Sequence, residues 1–290
     1  MIETGVLNDL LTAAPAFLLI AVRALAMIET APLLNSDSIP QVAKLALAGF
    51  AAYAAFPTAL VKDWEIAPFG LTFIFLIIGE ALIGIIIGFF MTIIFAAFST
   101  AGQFFSLQMG FGASETFDPL SQIENPLMGQ YLNLVSMLIF VTIDGFRELF
   151  LGGFWRSLQA INVISLINGR EKIVSMMLAG LSRLFLDAMI ISLPILGTLF
   201  LTSLATGLIS KAAPQINILS EGFPISITAA FILIFATLPF MTEAFSRVIN
   251  AGFATIQTLY IEIGHRIVAS SGSGVIGGSG AIGRIPGGLL

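Results

Sequence analysis

IAPFGLTFIFLIIGEALIGIIIGFFMTIIFAAF, residues 66–98, contains a single charged side chain, that of Glu80. At a rise of about 1.5 Å per residue, one unbroken helix over this run would be about 50 Å long. The hydrocarbon core of a bilayer is only about 30 Å thick. The run therefore predicts either a helix that tilts or extends beyond the bilayer inside a protein complex, or two shorter helices with a break near residues 68–70.

The composition of the whole chain predicts a membrane setting. Hydrophobic residues make up 57% of the 290 positions and charged residues 10%, whereas soluble domains carry about 25% charged residues. We therefore expect an integral membrane protein surrounded by membrane lipid. The formal net charge is −5 and no basic run is present, which argues against nucleic acid as a partner.

Residue types that build cofactor and catalytic sites are scarce. The chain has no cysteine, and His265 is its only histidine, so a transition-metal site has almost no ligands. No Gly-Lys-Ser/Thr phosphate loop is present, and the two GxGxxG matches at 272–277 and 278–283 lie in a Gly/Ser-rich tail instead of between a strand and a helix. We expect no metal, no cofactor and no enzymatic activity.

Uncharged apolar stretches predict about six membrane-spanning helices. The predicted spans are residues 10–22, 45–61, 81–98, 127–143, 188–209 and 223–242. Prolines inside these runs predict kinked helices packed against protein: they are Pro15, Pro57, Pro194 and Pro239. The expected fold is therefore an all-α polytopic membrane protein, with residues 1–268 as a single integral membrane domain and residues 269–290 as a flexible tail.

Glu80, Gly84 and Gly88 recur every four residues and so share one face of a helix. Small residues at this spacing let another helix approach closely. One interpretation is a seam between subunits, with a buried carboxylate that takes part in proton handling. The other is a structural contact in which Glu80 lies near the end of the span and reaches water or a backbone amide.

Two further patterns lie late in the chain. Arg183 and Asp187 stand at i and i+4, so they can form an ion pair on one helix face. Residues 245–267 mix apolar and polar positions at helical spacing, which predicts an amphipathic helix. The periodicity leaves open whether that helix lies on the membrane surface or against a partner.

FSLQMGFGASETFDPLSQIENP, residues 105–126, separates two of the most apolar stretches. Its glycines and prolines predict that no helix continues through it: they are Gly110, Gly112, Pro119 and Pro126. Phe111 and Phe117 give it apolar bulk that a solvated loop would not need. From the residues alone, these rings are best explained as anchors of a loop on a neighbouring subunit.

Three stretches, in the same order along the chain, resemble motifs of the FliR family, the SctT-like membrane components of type III protein export gates. They are APLLNSDSIPQVAKL at 31–45, AGQFFSLQMG at 101–110 leading to Asp118 and Pro119, and APQINILSEGFP at 213–224. The last is similar to the family's signature loop and contains Pro214, Gln215, Gly222, Phe223 and Pro224. The chain departs from the family pattern at Phe146, where a histidine commonly follows the glycine.

The resemblance implies a non-enzymatic subunit of the flagellar protein export gate, located in the bacterial inner membrane within the flagellar basal body. It implies FliP-like hairpins followed by a FliQ-like helix pair, in a hetero-oligomer with FliP-like and FliQ-like membrane subunits. FlhB-like and gate-ring proteins would lie nearby, and unfolded flagellar proteins would be the substrates. Much of such an assembly lies above the membrane plane, which would account for an overlong apolar helix.

The resemblance also implies that residues 105–126 project into a central pore and help to plug it. On this hypothesis Met109, Phe111 and Phe117 supply soft apolar bulk, and Gly110 and Gly112 let the backbone turn inward. Two alternatives remain open. One is the homologous gate of a virulence injectisome, and the other is a stand-alone proton-coupled secondary transporter that uses Glu80.

Overall fold

The computed structural model describes residues 2–60, 70–110, 127–212 and 218–273 of the chain. Within those ranges the regular structure is helical throughout, which confirms the expected all-α class for this part of the protein. Its elements are α1 (Ile2–Thr30), α2 (Gln41–Leu60), α3 (Leu71–Met109), α4 (Leu127–Thr142), α5 (Gly145–Arg147), the π-helix π1 (Glu148–Trp155), α6 (Arg156–Ala160), α7 (Val163–Asn168), α8 (Arg170–Ala212) and α9 (Ile218–Ser273).

Three of the described helical stretches are long and apolar enough to cross a membrane. They are Leu71–Met109, Arg170–Ala212 and Pro224–Glu262, and Leu127–Thr142 is a shorter apolar helix. These four correspond to the last four predicted spans. The first two predicted spans fall in α1 and α2, so the predicted total of six is not confirmed.

Helix α3 covers residues 71–98 of the overlong apolar run without a break. It begins directly after Gly70, whose backbone is extended with φ −158° and ψ −173°, and continues for 39 residues to Met109. At about 1.5 Å per residue it is about 58 Å long. The helix thus begins at the position where the sequence allowed a break, near residues 68–70, but it is long and not short. Residues 61–69 lie outside the described ranges.

Helix α3 is also the central element of the fold, because α1, α4, α8 and α9 all pack on it. Gly84 of α3 lies beside Ala26 of α1, and Gly88 lies beside Thr30. The residue numbers of the contacting positions increase together along the two helices, so α1 and α3 run in the same direction. The buried side chains of α3 then form the shared core of these helices.

Buried phenylalanines join α3 to α4 and α9. The ring centroid of Phe95 lies 5.4 Å from that of Phe140 on α4, and Phe98 lies 4.4 Å from Phe245 on α9. Phe140 also lies 6.3 Å from Phe253 of α9. Aromatic pairs at such distances add to the stabilisation that burial of apolar area provides. The centre of the bundle is therefore fixed by contacts between residues far apart in the chain.

The predicted amphipathic helix of residues 245–267 is a continuation of α9. Its apolar residues include Phe245, Ile249 and Phe253, which are buried against the other helices of this chain. The sequence left open whether this face lies on the membrane surface or against a partner, and in the structure its residues up to Tyr260 pack on helices of the same chain. Helix α9 extends into the predicted tail as far as Ser273, and residues 274–290 lie outside the described ranges.

The prolines of the apolar runs all lie inside helices. Pro15 is in α1, Pro57 in α2, Pro194 in α8 and Pro239 in α9. A proline in a helix removes one backbone hydrogen bond, and the freed carbonyl needs another partner in apolar surroundings. Their placement within helices is as the sequence predicted.

Candidate functional site

The face of α3 that bears Glu80, Gly84 and Gly88 packs on α1 of the same chain. A methyl group added at Gly84 would lie 2.9 Å from the Cβ atom of Ala26 and would collide with the backbone carbonyl oxygen of Arg23. The two helix backbones are therefore in direct contact, which only small residues permit. The face that we expected at a seam between subunits is thus covered inside the chain.

Glu80 is paired with Arg23, a residue that the sequence patterns did not single out. Arg23 Nε donates to Glu80 Oε2 at 2.5 Å, and the two side chains are 0% and 3% exposed. The other guanidinium nitrogens donate to Ser157 Oγ and to the carbonyl oxygen of Ile161, each at 3.1 Å. One arginine thus links α1 to α3 and to the end of α6, where Ser157 lies within the helix and Ile161 directly follows it.

This arrangement is a closed ion-pair network. Removing two charges from water costs several kcal/mol per ion unless both are paired and hydrogen-bonded, and here every guanidinium nitrogen has an acceptor. The partner of Glu80 is a side chain of α1, and not the water or backbone amide that the structural interpretation of the sequence allowed. The network holds α1, α3 and the end of α6 together.

A sequence signal for Arg23 does exist. Leu19, Arg23 and Met27 recur every four residues, so Arg23 lies on an apolar face of α1. A lone base on such a face needs an acid, and Glu80 is a lone acid on a comparable face of α3. The two signals are 57 residues apart in the chain, so neither identifies the other by spacing.

Helix α9 packs on the π-helix π1 at Gly152 and Gly153. Tyr260 Oη on α9 donates to the carbonyl oxygen of Gly153 at 2.8 Å. The side chains of Glu148 and Gln257 lie over Gly152. A π-helix widens the helical turn and is often found at functional positions. No periodicity in the sequence predicted this segment, which lies directly before the acceptors of Arg23.

The C-terminal end of α3, at Met109 and Gly110, is the part of the predicted plug that the structure describes. Met109 is fully buried within the chain. Gly110 ends the helix in the left-handed conformation, with φ 91° and ψ 2°, and its N–H donates to the carbonyl oxygen of Leu107 at 3.2 Å. Glycine is favoured at such a turn because it has no Cβ atom. The other predicted plug residues lie outside the described ranges: Phe111, Gly112 and Phe117.

The last turns of α3 carry polar groups in an otherwise apolar helix. Gln103 and Gln108 are exposed. Ser106 is buried, and its hydroxyl has no hydrogen-bond partner within the described part of the chain. Lipid offers no hydrogen bonds to exposed amide groups, so such side chains face water or protein. The sequence analysis did not single out these glutamines.

The predicted signature loop is partly helical. Helix α9 begins at Ile218, so Gly222, Phe223 and Pro224 belong to a helix and not to a loop. Pro224 removes only the hydrogen bond to the carbonyl of residue 220, a loss that a helix can accommodate with a bend. Gly222 is half-buried and Pro224 is exposed. The first two residues of the set, Pro214 and Gln215, lie outside the described ranges.

Exposed ion pairs mark α8 and α9. Arg183 Nε and Asp187 Oδ2 are 3.8 Å apart, which confirms the pair expected from their spacing. Lys172 Nζ and Glu262 Oε2 are 2.6 Å apart and link the two helices. In the residues that the structure describes, no three His, Asp or Glu side chains converge as metal ligands would.

Comparison with known proteins places these features in a family. The family model described as "Bacterial export proteins, family 1" matches residues 14–252. The chain is 30% identical over 260 residues to the flagellar biosynthetic protein FliR of Bacillus subtilis (strain 168), a match that covers 87% of this chain and 96% of that protein. It is 32% identical over 236 residues to FliR of Escherichia coli (strain K12), covering 79% and 87%.

A more distant relative has a different name. The chain is 27% identical over 165 residues to the surface presentation of antigens protein SpaR of Shigella sonnei. That match covers 56% of this chain and 61% of the relative.

Proposed function

This chain belongs to the bacterial export proteins of family 1, and from that premise we propose that it is a non-enzymatic membrane subunit of the flagellar type III protein export gate. In this role it helps to form and to plug the channel through which unfolded flagellar proteins leave the cell. The observation that carries the proposal is the nearly end-to-end match to proteins named flagellar biosynthetic protein FliR.

Helix dimensions support a hetero-oligomer with FliP-like and FliQ-like membrane subunits. Helices α3 and α8 contain 39 and 43 residues, about 58 and 65 Å of helix, against about 30 Å of hydrocarbon. Large apolar side chains are exposed along much of both helices. Apolar surface that extends beyond the bilayer needs cover from other proteins. In this proposal the assembly lies in the bacterial inner membrane within the flagellar basal body, next to FlhB-like and gate-ring proteins.

In this proposal the plug starts at Gly110 and includes Phe111, Gly112 and Phe117, whereas Met109 is buried inside the chain and does not line the pore. The support for the plug is threefold. The chain turns at Gly110, exposed glutamines beside the turn are suited to a wet cavity, and the residues that follow include large apolar rings. An apolar constriction of this kind can close a pore by dewetting and still be pushed aside by a passing chain.

A second candidate is the export gate of a virulence injectisome. The similarity to SpaR favours it, but that match is shorter and less identical than the matches to FliR. A stand-alone transporter loses its main support, because the carboxylate of Glu80 is held by Arg23. The flagellar gate is therefore the function that we adopt.

The test is an export assay in a strain that lacks this gene. Hook and filament proteins in the medium are quantified with and without the wild-type chain supplied in trans. We expect export to be lost in the deletion strain and restored by the chain. Equal export in both strains would overturn the proposal, and a defect in virulence-protein secretion with normal flagella would assign the chain to the injectisome.

A further inference from the structure

One side of α3 is not covered by the other helices of the chain. Its exposed and half-buried residues recur every three or four positions, from Leu71 near the start of the helix to Leu107 near its end. Residues at this spacing share one side of an α-helix. We call this side, which includes Ile85 and Gln103, the open stripe of α3.

The chemistry of the open stripe changes halfway along the helix. An α-helix repeats the direction of its side chains after five turns, which are about 18 residues. Thr100 therefore points in the same direction as Leu82. Gln103 likewise points in the direction of Ile85. A hydroxyl and an amide group thus take the places of two exposed apolar side chains, so the second half of the stripe is polar where the first half is apolar.

Helix α1 extends only along the first half of α3. Gly88 lies beside Thr30, and Thr92 Oγ1 donates to the carbonyl oxygen of Thr30 at 2.8 Å. Thr30 is the last residue of α1, so α1 ends at the level of Thr92, whereas α3 continues to Met109. The polar half of the open stripe therefore extends past the end of α1.

Neighbouring polar groups indicate water at this end of α3. Ser106 lies one turn after Gln103, and its buried hydroxyl has no hydrogen-bond partner in the part of the chain that the structure describes. Such a hydroxyl costs about 1–3 kcal/mol unless it has a partner, for which a water molecule suffices. Gly102 contacts the backbone of Met128 on α4, and Gln130 is exposed two residues later. Uncharged polar groups of both helices thus lie at this end.

The absence of charge from these polar groups narrows the choice of occupant. Residues 81–109 and 127–142 contain no Asp, Glu, Lys or Arg. Lipid cannot satisfy exposed amide groups, and an apolar partner helix would leave them unpaired. Amide and hydroxyl groups form hydrogen bonds with water and with the peptide groups of any sequence. This surface therefore fits an extended polypeptide in a water-filled channel.

We propose that the polar half of the open stripe, with Thr100 and Gln103, lines the channel and contacts the exported protein. The Gln103 amide donates to and accepts from peptide groups of the passing chain. Each such bond exchanges with a bond to water, so its net contribution is small and the chain is not held in place. The inference rests on the proposed function, because the occupant is the exported polypeptide.

The test places single cysteines in the chain, which has none of its own, within the full complex. Gln103→Cys tests the polar half, and Ile85→Cys is the control five turns earlier on the same side of α3. A hook protein fused to a folded domain that cannot pass arrests in the gate, and it carries one cysteine at successive positions of its unfolded segment. A disulfide requires Cα atoms within about 7 Å of each other, so we expect about ten-fold more cross-linking at residue 103 than at residue 85.

A charged thiol reagent that does not cross lipid tests for water at the same positions. It should label Gln103→Cys in the purified complex and leave Ile85→Cys unlabelled. Absence of labelling at residue 103 would overturn the inference, as would labelling without a cross-link to the arrested chain. A disulfide from residue 103 to another membrane subunit would also overturn it.

Two further measurements keep the outcome interpretable. If Gln103→Cys does not assemble, Thr100→Cys must give both the label and the cross-link. Export of the hook protein without its fused domain is measured alongside. Failure of the wild-type chain to support that export contradicts the proposed function, whereas normal export without the cross-link contradicts only the present inference.

Discussion

Arg23 Nε and Glu80 Oε2 lie 2.5 Å apart between α1 and α3, with both side chains shielded from solvent. Arg23 also reaches Ser157 and the carbonyl of Ile161. The pair therefore joins three parts of the chain at one point. Because a buried charge without its partner is costly, this contact is where single substitutions should have large effects.

We predict that Glu80→Ala lowers the free energy of unfolding by about 3–5 kcal/mol, because it leaves the Arg23 guanidinium buried without its counter-charge. The measurement is thermal unfolding of the purified protein in detergent, together with its steady-state level in membranes. The double variant Arg23→Met with Glu80→Leu should recover much of the loss, since it removes both charges and keeps the volume. If the double variant is as unstable as the single one, the ion pair is not the cause.

Gly84 supplies a second prediction, based on the close approach of α1. Gly84→Ala should destabilise the protein by about 1–3 kcal/mol, because its Cβ atom would collide with the Arg23 carbonyl oxygen and crowd Ala26. Gly49→Ala in α2 is the matched control. Its Cβ atom would meet nothing within 4 Å, so the higher helix propensity of alanine should leave stability unchanged or raise it slightly. Equal melting temperatures for the two variants would contradict the intrachain packing.

Tyr260 gives a third prediction, at π1. Tyr260→Phe removes the hydroxyl that donates to Gly153 and should cost about 0.5–1.5 kcal/mol, because one buried hydrogen bond is lost while the Gly153 carbonyl still accepts from the N–H of Arg156. Tyr131→Phe serves as the control, since Tyr131 is 41% exposed and its change should be close to zero. Thermal unfolding of both variants decides the point. A loss of the same size in Tyr131→Phe would show that the Gly153 contact carries no special weight.

Part of the fold follows from local sequence properties. The low charge content predicted a membrane protein, and the uncharged runs predicted the long helices α3, α8 and α9. The apolar repeat at 245–267 predicted a face that must be covered. Periodicity states that a face is buried but not what buries it, so the chain's own α3 and α4 were missed as the cover for Phe245 and Phe253.

The candidate site shows the same limit more sharply. The spacing of Glu80, Gly84 and Gly88 correctly indicated a close contact, but their partner α1 is more than 50 residues away in the chain. Pairings at that distance depend on topology and leave no local pattern. The family resemblance implied a loop over residues 213–224, yet α9 is already helical from Ile218 through Pro224.

The plug supplies a fourth prediction. Deletion of residues 110–116 should produce an ion leak across the host membrane while export continues, because the apolar constriction is removed and the channel is not. Membrane conductance is measured in cells that assemble the full complex. Deletion of residues 272–278 in the Gly/Ser-rich tail is the control and should cause no leak. Unchanged conductance in a normally assembled complex would return the segment to the role of a structural loop.

The most direct test of the whole account is co-purification. The tagged chain is extracted from native membranes in mild detergent, and the proteins that accompany it are identified and quantified by mass spectrometry. As a subunit of the flagellar export gate, it should be recovered in a fixed ratio with FliP-like and FliQ-like membrane proteins. Recovery as a stable monomer or small homo-oligomer, free of those proteins, would contradict the account.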